Sequence, residues 1–237
     1  MKTLQEFTQK AKCSYLENLE SNTHYKLIDK CSQENSLELI QRGYRRFGKM
    51  FFRPICDGCD ECKSIKIDVK KFAFSKSQKR VIRKAKDFMV YIQQPTLTQE
   101  HLDLFENYHL YMKEKKGCKY SKTSAQNYYA SFVEGHQDFG YEILYFDNEK
   151  LIGVDLVDIL EDGISSIYFY YDPTYEKYSL GKLSLLNQIL IARDKHLSWI
   201  YLGYYVKDNA SLSYKAQYQP YLTLQGRPNS LEVTKWL

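Results

Sequence analysis

Tyr141-Glu-Ile-Leu-Tyr-Phe-Asp-Asn-Glu-Lys-Leu-Ile-Gly-Val-Asp-Leu-Val-Asp-Ile-Leu-Glu-Asp-Gly-Ile-Ser-Ser-Ile-Tyr-Phe-Tyr-Tyr171 is the longest β-rich stretch of the chain. It breaks into three apolar runs, Tyr141 to Phe146, Leu151 to Leu160 and Ile164 to Tyr171, separated by Asp147-Asn-Glu149 and Glu161-Asp-Gly163. Polar punctuation of this kind between β-rich runs predicts three successive antiparallel strands. Downstream, the pattern predicts a helix from Ser179 to about His196, a strand from Trp199 to Val206, a helix near Ala210 to Gln217 and a last strand from Tyr221 to Gln225. The expected class is α+β, a mixed sheet flanked by helices.

That order of elements resembles the acyl-CoA N-acetyltransferase core. The resemblance implies a coenzyme loop, because proteins of that fold hold the coenzyme A pyrophosphate on free backbone amides at the start of a helix. The equivalent stretch here, Asp172-Pro-Thr-Tyr-Glu-Lys-Tyr-Ser-Leu-Gly181, has one glycine and a bulky insert. The expectation is a kept fold with an acyl donor other than acetyl-CoA.

Upstream, Gln93-Gln-Pro95 is the clearest break. It divides the chain into a basic, cysteine-containing region, residues 1–94, and an acetyltransferase-like aminoacyl-transfer domain, residues 95–237. Beyond the break, Thr98 is placed to cap a helix carrying Leu102, Phe105 and Met112, and a second helix is expected over Ser124 to Glu134. Before it, the pattern predicts a short helix from Ser36 to Gly43, with Ser36 as its cap, and a hairpin from Tyr44 to Arg53 turning near Gly48-Lys49. A strand from Ser64 to Val69 follows, and then a basic helix from Ser77 whose apolar face is Val81, Ile82 and Ala85.

The 237 residues carry 34 Lys and Arg against 29 Asp and Glu, a net charge of +5. The average hides a division. Arg42 to Lys86 holds 15 basic and four acidic residues, a balance of +11, which leaves −6 for everything else. Such asymmetry points to a polyanion on one side, although a solvated basic helix is the plainer reading. Tyrosine supplies 22 of the 36 aromatic residues, several in tight groups. Tyrosines suit the stacking of unpaired bases as well as ordinary strand packing. The longest run of apolar residues and glycine, Trp199 to Val206, is far short of a membrane span, and Met1 to Cys13 has no secretory core, so a cytoplasmic protein with no membrane partner is expected.

Cys56-Asp-Gly-Cys59-Asp-Glu-Cys62 is a C-x2-C-x2-C run, with Cys13, Cys31 and Cys118 elsewhere. In a reducing compartment it points to metal binding or redox chemistry rather than to a disulfide frame. Three thiolates are one short of a tetrahedral zinc site, and Cys13 or Cys31 is available as the fourth. The spacing also opens an iron–sulfur run, but Lys66 stands where the fourth cysteine belongs. Three reduced cysteines tightening a hairpin remain the plainer alternative. His24, His101, His109, His136 and His196 form no metal-binding pair, and no nucleophile elbow, Walker loop or dinucleotide fingerprint is present.

Several motifs in fixed order carry a more specific resemblance. Cys13-Ser-Tyr-Leu16, Leu39-Ile-Gln-Arg-Gly-Tyr-Arg-Arg-Phe47, Arg53-Pro-Ile-Cys-Asp-Gly-Cys-Asp-Glu-Cys62 and Ser75-Lys-Ser-Gln-Lys-Arg80 resemble the N-terminal motifs of the aminoacyl-tRNA-protein transferases. Tyr168-Phe-Tyr-Tyr-Asp-Pro173, Ser179-Leu-Gly181, Tyr201-Leu-Gly-Tyr204 and Ser213-Tyr-Lys215 resemble that family's second set. The resemblance implies transfer of an amino acid from its tRNA to the N-terminal amine of a protein. Length and cysteine spacing look like the short bacterial branch, which moves leucine onto proteins beginning with Asp or Glu and so marks them for degradation. Longer relatives move arginine, and arginyl transfer stays open as the alternative donor. A non-catalytic, metal-bearing RNA-binding module is the rival from another class.

Under that resemblance no cofactor is needed for the transfer, since the ester is already activated. The enzyme must hold the amine at attack distance and stabilise the developing oxyanion. Asp158 and Asp172 are the carboxylates expected to take the amine proton, with turn chemistry as the alternative for both, and Tyr168 or Tyr204 is expected to orient the ester. Arg45 and Arg46, with Arg80 in reserve, are the guanidinium candidates for the acceptor's carboxylate. Lys76, Gln78, Lys79, Arg80, Arg83, Lys84 and Lys215 are the expected tRNA contacts. A zinc ion or an iron–sulfur cluster is the candidate at Cys13, Cys56, Cys59 and Cys62.

Overall fold

The computed structural model describes residues 1–117, 120–135 and 138–237, so Cys118 and His136 lie outside the described residues. In chain order the elements are β1 (Lys2–Lys12), β2 (Glu20–Lys30), α1 (Gln33–Gln41), β3 (Arg45–Phe47), β4 (Met50–Pro54), β5 (Lys63–Asp68), α2 (Lys76–Lys84) and β6 (Met89–Gln93). They continue with α3 (Gln99–Lys116), α4 (Ala125–Tyr128), β7 (Gly140–Asp147), β8 (Lys150–Ile159), β9 (Gly163–Tyr171), α5 (Leu180–Asp194), β10 (Trp199–Tyr205) and β11 (Tyr221–Thr223).

The strands form two sheets. One is four-stranded in the order β1-β2-β4-β3, and the other is seven-stranded in the order β11-β5-β10-β9-β8-β7-β6. Within the larger sheet β9 and β10 run parallel and the other neighbours are antiparallel. The mixed α+β class expected from the sequence is what the chain adopts. Two strands of the larger sheet, β5 and β6, come from before Gln93-Gln-Pro95.

The larger sheet is covered on both faces. Leu183, Leu186, Ile189 and Ala192 recur along α5 at helical spacing, and they bury against Ile65, Ile67, Ile152, Ile164 and Ile200. Each such leucine contributes about 1.5–3 kcal/mol by leaving water. Leu186 is fully buried, so Leu186→Ala is a cavity mutation costing about 2–5 kcal/mol. On the opposite face α3 sets Leu104 and Phe105 against Val154, Leu156 and Tyr170. Thr98 caps α3 as expected, accepting from His101 N, and Gly117 ends it at φ 66°. The small sheet leans on the α3 side, where the Phe47 ring meets those of Phe132 and Tyr168 at 5.9 and 6.4 Å.

Some boundaries differ from the sequence reading for local reasons. Helix α1 starts earlier than Ser36: Ser32 is the cap, accepting from Asn35 N, while Ser36 is buried inside the helix. The expected helix near Ala210 is a single 3-10 turn, Ser213–Gln217. After β11 the chain turns back as a strap, pairing Thr223 with Leu237 and Leu224 with Trp236. Arg42 grips this strap through the carbonyls of Asn229, Ser230 and Glu232.

Candidate functional site

The only parallel pair of the large sheet, among the described strands, opens as it proceeds. β9 and β10 are joined at Gly163–Trp199, Ile164–Ile200 and Ser165–Tyr201, and then diverge. Both strands are irregular at that level. Ile167 falls between the Leu156–Tyr168 and Val157–Ser166 pairs, and Leu202-Gly203 falls between Tyr201–Lys66 and Tyr204–Ser64. Bulges of this kind re-aim side chains and leave ladder groups unpaired. Here Ile167 and Tyr168 both turn to the α3 face, while Phe169 returns to the α5 face.

Arg45, from β3 of the small sheet, plugs the opening. Its Nη2 donates to the carbonyls of Ser166 (2.7 Å) and Ile167 (3.0 Å) and its Nη1 to that of Leu202 (3.3 Å). Gly203 makes the room: it sits at φ 73°, and a Cβ there would overlap the guanidinium. Lys215 lies nearby, 5% exposed, with Nζ 2.6 Å from the Tyr204 carbonyl. Burial first, and then the Arg45 charge, push its amine down to about 6. Neither Arg45 nor Lys215 forms an ion pair among the described residues. Lys215 is thus a buried group behind the opening rather than part of an exposed cationic face.

Arg46, the next residue on β3 but one pointing the other way, is spent on Asp158. Nε donates to Oδ2 at 2.8 Å, Nη2 donates to Oδ1, and Nη1 takes the Gly48 carbonyl at 3.1 Å. The two side chains are 6% and 0% exposed. Burial pushes the Asp158 carboxyl up against the pull of Arg46. Asp172 also has partners: it caps the turn Pro173–Tyr178 through Thr174 and meets Lys150 Nζ at 2.6 Å. Burial raises this carboxyl, but the bonds from Lys150 and Thr174 outweigh it and leave the group below the ordinary range. Both aspartates therefore have structural partners in place of open access to an amine.

The two tyrosines separate as well. Tyr204 is buried, with its hydroxyl 3.0 Å from the Phe52 carbonyl and 3.2 Å from that of Gly43, fastening the small sheet to β10. Tyr168 is half-buried on the α3 face of the bulged strand and bonds His109 Nε2 at 2.8 Å. Beneath the opening, Asp155 of β8 is fully buried; it accepts from Gln188 Nε2 (2.9 and 3.1 Å) and from Ser184 Oγ (2.8 Å), and burial pushes it up to about 7. Gln188 also reaches Ser166 Oγ at 3.2 Å, which ties this buried group to the bulged strand.

Helix α2 lies against α5 and presents Lys76, Lys79, Arg80 and Arg83 to solvent with no acidic partner among the described residues. Its neighbours in the motif do other work. The Gln78 side chain accepts from Ser75 N while Ser75 Oγ accepts from Gln78 N, a reciprocal capping box, and Lys84 Nζ donates to the Lys177 carbonyl at 2.6 Å. A cleft of about 270 Å³ opens beside the start of α2, lined by Ser75, Ser77, Gln78, Lys182 and Gln217 among others.

Cys13, Cys56, Cys59 and Cys62 line a second cleft of about 260 Å³, floored by Phe52 and Tyr204. Cys31 is elsewhere, buried with Leu39 and Tyr44, so Cys13 is the one of the two that joins the run. Tyr15 N and Leu16 N donate to Cys13 Sγ, and Asn22 N donates to Cys56 Sγ. Arg227 of the strap holds the carbonyls of Cys56 and Cys59. Burial and the neighbouring thiols push Cys62 up to about 12. As they stand, no three His, Cys, Asp or Glu side chains among the described residues are gathered closely enough to hold a metal ion. Lys66, at the absent fourth cysteine's position, points away into rings, with Nζ 3.9 and 4.5 Å from the centroids of Trp199 and Trp236.

Two family models match the chain in tandem. Residues 11–80 match the N terminus of arginine-tRNA-protein transferase, and residues 100–225 match its C terminus. The chain belongs to the arginine-tRNA-protein transferase family. Its relatives include proteins named aspartate/glutamate leucyltransferase. One from Campylobacter jejuni serotype O:6 is 49% identical over 225 residues, covering 95% of this chain and 94% of the relative. One from Helicobacter hepaticus is 42% identical over 236 residues, covering 100% and 98%, and one from Saccharophagus degradans is 34% identical over 212 residues, covering 88% of each. Among solved structures, the C-terminal DUF2156 domain of a putative lysylphosphatidylglycerol synthetase from Agrobacterium fabrum superposes with a TM-score of 0.46 at 9% identity, over 71% of this chain and 50% of that one.

For this arginine-tRNA-protein transferase family member, the stretch expected to replace a coenzyme loop is a closed turn. Tyr175 and Tyr178 pack on Phe88, and the Tyr175 hydroxyl bonds Asp147 at 2.9 Å. Sequence reasoning singled out Arg45 and Tyr168 and passed over Asp155, Gln188, Gly203 and His109. The Tyr201-Leu-Gly-Tyr204 motif was the available signal for Gly203, since a glycine inside a strand marks a bulge or a close approach. His109 had no sequence signal, because its partner is 59 residues away.

Proposed function

We propose that this enzyme transfers leucine from leucyl-tRNA to the N-terminal Asp or Glu of proteins, marking them for degradation, and that it works in the cytoplasm. The choice of leucine is supported by the names of its relatives. The structural observation that carries the reading is the unpaired cationic face of α2, which suits tRNA phosphates.

The reaction centre in this reading is the mouth of the β9–β10 opening. Arg45 spends three N–H groups on strand carbonyls, and its Nε and remaining Nη1 hydrogen are the donors assigned to the acceptor's side-chain carboxylate. Arg46 and Asp158 form the rigid footing that keeps β3, and hence Arg45, in place. Tyr168 is the hydroxyl assigned to the reacting groups. The tRNA contacts reduce to Lys76, Lys79, Arg80 and Arg83, with Lys84 held back by its carbonyl partner.

The four cysteines are our candidate place for a zinc ion or an iron–sulfur cluster, whose binding would require all four thiols, those of the Cys56–Cys62 run included, to draw together. Metal analysis of protein purified without oxygen tests this: bound zinc or iron that Cys59→Ser loses supports it, and metal-free, fully active protein rejects it. The transfer itself is tested with labelled leucyl-tRNA and arginyl-tRNA and a peptide beginning with Glu. Label from leucyl-tRNA alone is expected. Transfer from arginyl-tRNA instead changes the donor, and retained tRNA binding with no transfer rejects the enzyme.

A further inference from the structure

We infer that His109 holds the Tyr168 hydroxyl as the group that receives the proton of the attacking amine, with the imidazole behind it as the proton's temporary store. The inference rests on the transfer reading above and adds to it a residue that neither the family motifs nor the sequence pattern marked.

The geometry fixes the direction of the pair. His109 Nδ1 lies 2.7 Å from the Phe105 carbonyl, and only a nitrogen bearing hydrogen can bond a carbonyl, so Nδ1 is the protonated nitrogen of the neutral ring. Nε2 is then an acceptor, and at 2.8 Å it takes the Tyr168 hydroxyl hydrogen. A phenol oxygen that donates its hydrogen can also accept one, here from the amine N–H. Burial pushes the imidazole pKa below its ordinary value, opposed only by the Phe105 carbonyl, which keeps the ring neutral and ready to accept.

Place and surroundings agree with that role. Tyr168 follows Ile167, whose carbonyl is held by Arg45, and the bulge turns its ring to the α3 face, where His109 projects from α3. Among the described residues, the titratable rings beside the pair are tyrosines: the Tyr108 and Tyr120 rings lie 5.4 and 5.1 Å from the imidazole, and that of Tyr170 lies 6.4 Å from Tyr168. Phe105, Phe132 and Phe47 complete the packing around the pair. Among the described residues, no charged side chain sets the imidazole.

The step balances with no further reactant. A C–N bond forms between the amine and the leucyl carbonyl carbon, and the C–O bond to the terminal ribose breaks. The amine proton passes to the Tyr168 oxygen as the Tyr168 proton passes to Nε2. The reverse relay then delivers one proton to the departing ribose oxygen, so the tRNA leaves with a free hydroxyl and the pair returns to its starting state.

The test is steady-state leucyl transfer to a Glu-initiated peptide, with both substrates saturating, from pH 5.5 to 9. Tyr168→Phe and His109→Gln are each expected to lower kcat by about 100-fold, the low end for general acid–base groups, with KM for either substrate within about threefold. The double variant should be no slower than Tyr168→Phe, because the two act as one unit. The acceptor amine must be neutral to attack, so every variant keeps an acid limb near that amine's pKa of about 8; the second limb, at lower pH and set by the imidazole, should vanish in both. Wild-type kcat in His109→Gln, or losses that multiply in the double variant, would overturn the relay. If His109→Gln fails to fold, Tyr168→Phe, which keeps the stacked ring, decides by its pH profile alone: a retained lower limb, beneath that of the acceptor amine, rejects the relay. A wild-type protein that transfers while both variants match it sinks the relay and spares the transfer reading; an inert wild type sinks both.

Discussion

Gly203 and Arg45 share one volume: the guanidinium occupies the space in which any side chain at position 203 would begin. Two penalties therefore meet at that position, the left-handed backbone and the displaced cation. Gly203→Ala is expected to cost about 1–3 kcal/mol in urea denaturation and to abolish most transfer, because Arg45 can no longer reach the carbonyls of Ser166, Ile167 and Leu202. A variant with normal stability and normal transfer would show that the opening tolerates an unplugged state.

Arg46 and Asp158 form a buried two-point fork, so removing one partner strands the other. Asp158→Ala should lose about 3–5 kcal/mol, whereas the paired change Arg46→Met with Asp158→Leu should lose much less. Urea midpoints of the three proteins check this. A single variant as stable as the double would mean that the pair is not isolated from water.

Asp155 gives stability a pH dependence of definite sign. Its folded pKa, about 7, is above that of the unfolded chain, so the folded state retains a proton that the unfolded state has lost. Stability therefore falls as pH rises from roughly 4 towards neutrality, and levels off above the folded value. Asp155→Asn, which still offers an oxygen to Gln188, should remove that slope and gain more at pH 8 than at pH 5. Equal slopes for the two proteins in denaturant titrations would refute it.

Salt should loosen the tRNA steeply. Replacing Lys79, Arg80 and Arg83 with Ala should flatten the plot of log affinity against log salt by about 0.7–0.9 for each phosphate that the helix no longer neutralises. Gln78→Ala should act otherwise, weakening the start of α2 by about 1 kcal/mol with little change in slope, since its side chain closes the capping box. Filter binding at several ionic strengths separates these outcomes.

The strands from Gly140 to Tyr171 were legible because apolar alternation and turn residues, with Asn148 at φ 53°, are local signals. β1 and β2 were not foreseen: β1 is mostly exposed and polar, so no buried face imposes a period on its sequence. β6 was missed because its five residues run into the break at Gln93-Gln-Pro95 and are all exposed on the sheet edge. In the site, Arg45 and Arg46 were seen as a pair, but their partners lie 112 to 157 residues away and on opposite sides of the strand. Local sequence holds no trace of such distances. Lys215 read as a surface cation for the same reason, because only the folded chain sets it beneath Tyr204.

The insertion of β5 between β10 and β11, together with the reach of Arg45 into the β9–β10 opening, bears on how this chain can be inherited. A gene spliced at Gln94–Pro95 to a distant relative would have to match a strand register, a bulge and a buried cation at once. Recombination there would be selected against, and the two parts should carry a common ancestry, drifting in step rather than being traded between lineages.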